Sequence, residues 1–460
     1  MSTSVTHASN DCIAALATPY ARAALAVIRL SGERCIERLS RLFSPAGALA
    51  AAPGNTVHHG FIVDKDECLD EVMVAVYRAP HSYTGQDSAE IFCHGSLPGI
   101  ERLLGALLHN GFRQADPGEF TMRAFLNGKL DLTRAEAVQE LVSSRTEAAQ
   151  ALALERLGGA VTDWIDRVKN RLLQVMASVE VRLDYPDDEI EELQLPLDVI
   201  AECLEQLNQL ASTYAAGRLY QEGVKVAVVG RTNAGKSSLF NLLLREDRSI
   251  VSEVHGTTRD YIEGSIVLKG VPVRLYDTAG LRSGAGEVES EGIRRSRVLI
   301  ENAACVLYLV DASCGIAAED DENLSLLSGR SGVLRIWNKI DLLGDAGLAA
   351  DSIPSGWIPV SARSGAGLDM LHERLYAAIA GSISGGGEGA PVIDSLRQKQ
   401  LIETAAESLV RARESIESAM PLDIVALDLQ EALHALGEIT GEVTSADILE
   451  AIFSGFCVGK

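Results

Sequence analysis

The residues best suited to chemistry lie in "GRTNAGKSS", Gly230 to Ser238, between the apolar run "VKVAVVG" and the helix-like run "KSSLFNLLL". The spacing G-x-x-x-x-G-K-S lets the backbone N–H groups of a Gly-rich turn face phosphates, and a helix N-terminus favours anions. Lys236 then brings a positive charge to the β- and γ-phosphates, and Ser237 binds Mg²⁺. We therefore predict a nucleoside triphosphate site.

Four shorter motifs follow in chain order: "GTTRD" (256–260), "DTAG" (277–280), "NKID" (338–341) and "SAR" (361–363). Thr258 is the candidate second Mg²⁺ ligand, while Asp277 serves the magnesium shell and Gly280 the γ-phosphate. The carboxylate of Asp341 can accept from the two edge N–H groups of guanine, which adenine cannot match. Together with the first motif, this order predicts GTP as the ligand.

Leu281 directly follows "DTAG", where many switch GTPases carry a Gln that orients the attacking water. A leucine side chain can neither donate nor accept a hydrogen bond. The polar candidates just downstream are Arg282, Glu287 and Glu289, of which a carboxylate can hold a water in line with the γ-phosphate.

Composition limits the class of protein. With 460 residues the chain is expected to form about two to four domains. Its 41 basic and 64 acidic residues give a net charge of −23, so a nucleic-acid role requires a local basic patch or a partner. Eight scattered cysteines without a C-x-x-C pair favour reduced thiols over disulfides or zinc. Without a membrane-length apolar run or a secretory signal pattern, we expect a cytoplasmic location and no membrane partner.

Four segments differ in their periodicity. Residues 1–127 mix strand-like runs with one helical run, which predicts an α+β domain. Residues 128–220 and 384–460 are helical. Residues 221–383 alternate apolar strands with helices, which predicts an α/β domain of the Ras-like P-loop type with a doubly wound, mostly parallel sheet. The economical interpretation is one discontinuous helical domain with the α/β domain inserted; two independent helical tails are the alternative.

Several longer strings carry a family resemblance: "DTAGLR" with Asn233, "PHSYTGQD", "PGEFTMRAFLNGKLDLTRAEA" and the terminal "FCVGK". Over essentially the whole chain, these resemble the bacterial tRNA-modification GTPases called MnmE or TrmE. The resemblance implies that Glu289 orients the water and that K⁺ supplies charge compensation. The implied K⁺ ligands are Asn233, Ser252, Val254 and Thr257. The alternative is that Asn233 only shapes the loop and that Arg259 or Arg282 acts as an arginine finger.

The predicted nucleotide contacts extend beyond the residues already named. In full they are Asn233, Ala234, Gly235, Lys236, Ser237, Ser238, Ser252, Glu253, Val254, His255, Gly256, Thr257, Thr258, Asp277, Thr278, Ala279, Gly280, Asn338, Lys339, Asp341, Ser361, Ala362 and Arg363. Mg²⁺ is assigned to Ser237 and Thr258.

The resemblance also gives the first domain a cofactor, a formyl or methylene derivative of tetrahydrofolate. Arg29, Glu90, Lys129 and Lys460 match its contacts in the family, so the C-terminal tail should reach this domain. Cys457 in "FCVGK" could act as a nucleophile or base beside the one-carbon unit, or could simply pack the tail.

The implied function is GTP-driven modification of tRNA. The family works as a homodimer, in a heterotetramer with an FAD-dependent partner of the MnmG type. It adds a (carboxymethyl)aminomethyl group to carbon five of the wobble uridine, and its G domains approach when GTP and K⁺ bind. The alternatives are a ribosome-assembly or signalling GTPase without folate, and a plain hydrolase with an unrelated regulatory domain.

Overall fold

A computed structural model describes residues 11–184, 195–246, 262–277, 298–343, 353–383 and 389–460. The chain divides into two compact units, one of residues 1–142, 156–163 and 433–460, the other of residues 143–155 and 164–432. These units do not follow the segment borders expected above, and those borders remain predictions. In the part of the chain that the structure describes, no helix is long and apolar enough to cross a membrane.

The strands, in chain order, are β1 Ile13–Leu16, β2 Leu25–Ser31, β3 Phe43–Ser44, β4 Thr56–Asp64, β5 Glu67–Tyr77, β6 Ser88–His94, β7 Arg113–Gln114, β8 Val224–Gly230, β9 Ile262–Leu268, β10 Val271–Asp277, β11 Cys305–Asp311, β12 Val333–Asn338 and β13 Trp357–Val360. The helices are α1 Cys35–Ser40, α2 Leu97–His109, α3 Glu119–Leu126, α4 Leu132–Ser143, α5 Glu147–Leu157, α6 Ala160–Asp184, α7 Leu197–Ser212, α8 Tyr214–Glu222, α9 Lys236–Glu246, α10 Ala318–Leu326, α11 Leu368–Ile383, α12 Leu396–Glu417, α13 Leu422–Thr440 and α14 Ala446–Phe453.

The first unit contains a seven-stranded sheet of order β3-β4-β5-β6-β2-β1-β7, antiparallel except for the β1–β7 pair. Side chains alternate across a strand, so Ile28 and Leu30 of β2 enter a core with residues of α1 and α2, whereas Arg29 points to the opposite face. On β6, Ile91 enters the same core and Glu90 points away from it. Register therefore places Arg29 directly opposite Glu90.

The face that carries Arg29 and Glu90 continues into an open apolar surface. One row of paired residues runs Val27, Phe92, Met73 and His59 across β2, β6, β5 and β4. Leu25, Val57 and Met73 are 60%, 58% and 42% exposed, which is high for large apolar side chains on a regular sheet. Isolated exposed apolar residues are ordinary, but a continuous group on one face is typical of an interaction surface.

A buried ionic cluster ties β7 and α3 to the start of the described chain. The Glu119 carboxylate, 4% exposed, accepts from Arg113 Nη2 (2.6 Å), Arg123 Nη2 (2.8 Å) and the Asp116 amide (2.9 Å). Both arginines also pair with Asp11. Burial by itself would raise the pKa of Glu119, but hydrogen bonds from Arg113, Asp116 and Arg123 outweigh it, so the pKa lies below its ordinary value.

The second unit contains a six-stranded sheet of order β13-β12-β11-β8-β10-β9, parallel except for the β9–β10 hairpin. Its strands are apolar on both faces because helices cover both, which is typical of doubly wound sheets. Helices α7 and α12 pack together, although the whole α/β segment separates them in sequence. The inserted α/β domain, rather than two independent helical tails, is thereby confirmed.

Glu119→Gln should weaken the first unit in a pH-dependent way. Removing one partner from a buried ion cluster costs about 3 kcal/mol of local stability at pH 7. Because the folded-state pKa is depressed, the carboxylate's contribution is complete above its unfolded pKa and is lost as pH falls through the folded value. The difference between wild type and variant should therefore shrink below about pH 4.5.

Native-state hydrogen exchange of the Ala115 amide, which donates to Ala14 O, reports this local stability. Glu33→Gln, at an exposed position, is the matched control. A deficit in Glu119→Gln that is equal at pH 7 and pH 4 would contradict the ionic account.

Candidate functional site

The Gly-rich loop lies where the sequence predicted it, between β8 and the first residue of α9. β8 runs parallel to both β10 and β11, so the loop opens at the carboxyl edge of the sheet, where α/β proteins bind ligands. Gly235 has φ +92°, and a Cβ there would lie 2.2 Å from Asn338 Nδ2. Only glycine allows the loop to approach the end of β12 this closely.

The residues expected to bind phosphate and magnesium are adjacent. The Lys236 ammonium donates to Gly230 O (2.9 Å) and Arg231 O (2.7 Å), which curls it over the loop. Ser237 Oγ donates to Asp277 Oδ2 (2.7 Å), which joins the two oxygen groups expected around Mg²⁺. Asp277 is 1% exposed at the end of β10. The alcohol oxygen can bind a hard cation directly, and the carboxylate can accept a hydrogen bond from that alcohol or from a water on the cation.

Hydrogen bonds join the two motifs that are expected to bind the base. Asn338, fully buried, donates from Nδ2 to Ala234 O (2.8 Å) and accepts from the Ala362 amide at Oδ1 (3.1 Å). Ser361 Oγ donates to Asp341 Oδ1 (2.6 Å). "NKID" therefore connects to the Gly-rich loop directly, and "SAR" connects to it through "NKID". Losing any one of these buried contacts would cost about 1–3 kcal/mol.

Lys339 has a second task beside this site. Its ammonium pairs with Asp311 Oδ2 at 2.7 Å, across the ends of β11 and β12. Burial would raise the pKa of Asp311, but the Lys339 hydrogen bond and two from Ser313 hold it below the ordinary value. The pair fixes the backbone from which Asp341 projects.

Two predicted contacts, Ser238 and Arg363, are exposed in α9 and after β13. The remaining predicted contacts lie outside the described residues, as do the candidates for orienting the water or acting as an arginine finger. They are Ser252, Glu253, Val254, His255, Gly256, Thr257, Thr258, Arg259, Thr278, Ala279, Gly280, Arg282, Glu287 and Glu289. Asn233, the remaining K⁺ candidate, adopts φ +65° in the loop.

A second site is a cavity of about 440 Å³ within the first unit. Arg29 and Glu90 lie in its wall, and Nε and Nη2 of the arginine each lie 2.9 Å from Glu90 Oε1. Arg29 Nη1 also donates to Gly459 O (3.0 Å), so the C-terminal tail closes this side. Lys460 lines the same cavity, and burial together with the charge of Arg29 lowers the pKa of its ammonium.

Sequence reasoning missed most of this cavity's wall. Tyr83 and Phe120 both lie 5.8 Å from the Arg29 guanidinium carbon, measured to their ring centres. The remaining lining residues are Tyr77, Thr84, Ser88, Ala89, Leu130, Val138, Leu141 and Leu157. The available signal was "PHSYTGQD", a polar string between two strands that carries Tyr83 and Thr84.

The structure separates two other predicted residues from the cavity lining. Lys129 is exposed, and its ammonium donates to Pro80 O (3.1 Å), which anchors the loop before β6. Cys457 is also exposed, and its backbone carbonyl accepts from the Gly118 amide (3.4 Å). In this state, therefore, Arg29, Glu90 and Lys460 converge, whereas Lys129 and the Cys457 thiol do not join them.

Comparisons with known proteins agree along the whole chain. A model described as "GTP-binding protein TrmE N-terminus" matches residues 12–129, and one described as "MnmE helical domain" matches residues 132–457. The tRNA modification GTPase MnmE of Carboxydothermus hydrogenoformans is 42% identical, covering 98% of this chain and 99% of that protein. The protein of the same name from Borrelia recurrentis is also 42% identical, covering 98% of each chain. The Gly-rich loop, Asp277 and Asn338 lie at one edge of a mostly parallel sheet, and the matches cover nearly all of the sequence, so the chain belongs to the MnmE family of tRNA modification GTPases.

Proposed function

We propose that this GTPase works with an FAD-dependent partner to add a (carboxymethyl)aminomethyl group to carbon five of the wobble uridine of certain tRNAs, with tetrahydrofolate as carbon donor. The observation that carries this proposal is the convergence of Arg29, Glu90 and Lys460 on a second cavity, separate in sequence from the nucleotide loop. A GTPase that only switches a partner has no need of such a cavity. The reaction would take place in the cytoplasm, where tRNA is available.

The cavity's chemistry suits a reduced folate. A carboxylate such as Glu90 can accept from the N–H groups of a pterin edge, as Asp341 would from guanine. Arg29 and Lys460 bring positive charge toward an anionic or carbonyl group, and the aromatic and leucine side chains offer apolar contact for rings. The folate would supply the one-carbon unit. The protein's own residues would bind it and exclude water.

GTP hydrolysis requires groups that orient the water and balance the charge of the transition state. We propose that Glu289 orients the attacking water. We propose that K⁺ compensates the charge of the transition state, with Asn233, Ser252, Val254 and Thr257 as its ligands. Lys236 is already beside the loop carbonyls and would transfer its hydrogen bonds to phosphate oxygens. Ser237 and Thr258 would bind Mg²⁺, with Asp277 accepting from Ser237 as it does in the structure.

The open half of the first unit's sheet suits a second copy of this chain. A groove of about 380 Å³ there is lined by Leu25, His59, Met73 and Phe92, and the same sheet face carries the cavity. In a homodimer formed through this surface, each G domain could approach the G domain of the other subunit. Sedimentation equilibrium should show a dimer that Met73→Lys dissociates, and a monomeric wild type would eliminate this interface.

The partner's role follows from charge. At a net charge of −23, this chain repels a phosphate backbone at long range. We therefore assign most of the tRNA-binding surface to the FAD-dependent partner in a heterotetramer.

We also propose Cys457 as a candidate group near the one-carbon chemistry.

Lys236→Ala is the direct test of the function. The substitution removes the charge that contacts the β- and γ-phosphates, so hydrolysis and modification should fall together. Wobble nucleosides from cells lacking this protein, analysed by mass spectrometry, should lose the carbon-five substituent. Wild type and Lys269→Ala, an exposed lysine of the same domain, should restore it, and Lys236→Ala should not. Unaltered wobble nucleosides in the deletion strain would favour the ribosome-assembly or signalling alternative.

Hydrolysis should depend on the alkali ion. At equal ionic strength we expect K⁺ to exceed Na⁺ by about tenfold or more, a modest part of the roughly 10³–10⁵ that an arginine finger supplies. Asn233→Ala should abolish the difference, whereas Asn302→Ala, whose side-chain amide donates to Val298 O, should keep it. Equal rates in the two salts would instead favour Arg259 or Arg282 as an arginine finger that compensates the transition-state charge.

Glu90→Gln should weaken folate binding. The loss of a charged acceptor is worth about 2 kcal/mol, or roughly 30-fold in Kd. Equilibrium dialysis with a reduced folate measures it, and Glu101→Gln, exposed on α2, should bind as wild type does. If the wild type retains no folate, the folate proposal is wrong, even if tRNA modification requires this protein.

A further inference from the structure

Helix α8 belongs to the core of the α/β domain through its C-terminal half. Leu219 and Tyr220 pack against the buried cluster that includes Val273 and Leu275 of β10. The helix also contacts α11, and Gly223 at its end lies beside Pro272 and Arg274 of β10. A shift of β10 along its axis would therefore push directly on α8.

The strand that α8 touches ends at the nucleotide site. Its last residue, Asp277, accepts from Ser237 at 2.7 Å, and these two groups are the ones expected around Mg²⁺. Asp277 and the residues that contact α8, Val273 and Leu275, therefore lie on the same strand.

The N-terminal half of α8 is fixed to the chain that leaves the α/β domain. Thr213, fully buried between α7 and α8, accepts at Oγ1 from the Ile393 amide (3.1 Å). Its hydroxyl is within donating distance of Leu210 O (2.7 Å) and Pro391 O (3.3 Å). One hydroxyl therefore joins the segment that enters the domain to the segment that leaves it.

Gly217 brings the same two segments together one turn later. A Cβ at this position would lie 2.1 Å from Ile393 O, closer than any real side-chain contact. The exit segment therefore rests on bare helix backbone. Helix α7 precedes Thr213, α12 follows Ile393, and these two helices pack together. The contact of Gly217 with Ile393 is therefore continuous with the helical part of the unit.

We propose that α8 is the joint that transmits the state of the nucleotide site to the helical domain, with Thr213 and Gly217 as positioning residues. One end of the helix follows β10, and the other end is held to Pro391–Ile393. A rigid helix clamped at both ends cannot absorb a movement, so it must pass that movement on to α7 and α12. The clamp lets hydrolysis at the loop do work on the tRNA-modifying assembly without either residue touching the nucleotide.

Thr213→Val tests the joint, because it keeps the shape of the side chain but removes the hydroxyl. GTP hydrolysis by the purified chain should stay within about twofold of wild type. Modification of wobble nucleosides in cells should fall by about fivefold or more, the lower end of the usual coupling between sites. Thr213→Ser should restore it. Thr404→Val, whose hydroxyl donates to Gln400 O in its own helix, is the matched control.

A second measurement does not depend on cells. Deuterium uptake of residues 389–395 should differ between the GDP form and a non-hydrolysable GTP analogue in wild type, and the difference should vanish in Thr213→Val. The proposal is overturned if uptake is the same in both nucleotide states of wild type. It is also overturned if hydrolysis and modification fall in parallel in Thr213→Val, or if modification stays at the wild-type level.

Discussion

The parallel pairing of β8 with β10 on one side and β11 on the other is the constraint on which this molecule depends. It brings the Gly-rich loop, Asp277 and Asn338 to one edge of the sheet, although more than a hundred residues separate the first from the last. Side chains then complete the site: Asn338 binds the loop backbone, and Ser237 binds Asp277.

In the first unit, strand register again brings side chains together, here a charged pair. Antiparallel register sets Arg29 against Glu90 on the face of the sheet opposite its main core, and the returning C-terminal tail adds Gly459 and Lys460. A charged pair in a largely apolar cavity is costly unless each group keeps its hydrogen bonds, and here the tail supplies one of them. A cavity assembled from residues near both ends of the chain makes ligand binding sensitive to the fold of the whole unit.

Between the nucleotide loop and the helical domain, α8 is shared. The C-terminal half of α8 packs in the core of the α/β domain. Its N-terminal half packs against Pro391–Ile393, the segment that leaves that domain. An inserted domain joined by loose linkers would hydrolyse GTP without consequence for the rest of the chain. Here Thr213 and Gly217, at the insertion point, join the entering and leaving segments by direct contact with Ile393.

The sequence by itself predicted a nucleotide site from the local residue types and the fixed order of "GRTNAGKSS", "DTAG", "NKID" and "SAR". It also determined the alternation of strands and helices, because periodicity is a local property. Only the tertiary structure decided which distant side chains meet. It joined Tyr83, Phe120 and Lys460 around Arg29, directed Lys129 to Pro80 O, and placed Ile393 on Thr213. The physical reason is that register, close approach and burial depend on contacts between residues far apart in the chain, and local sequence does not encode those distances.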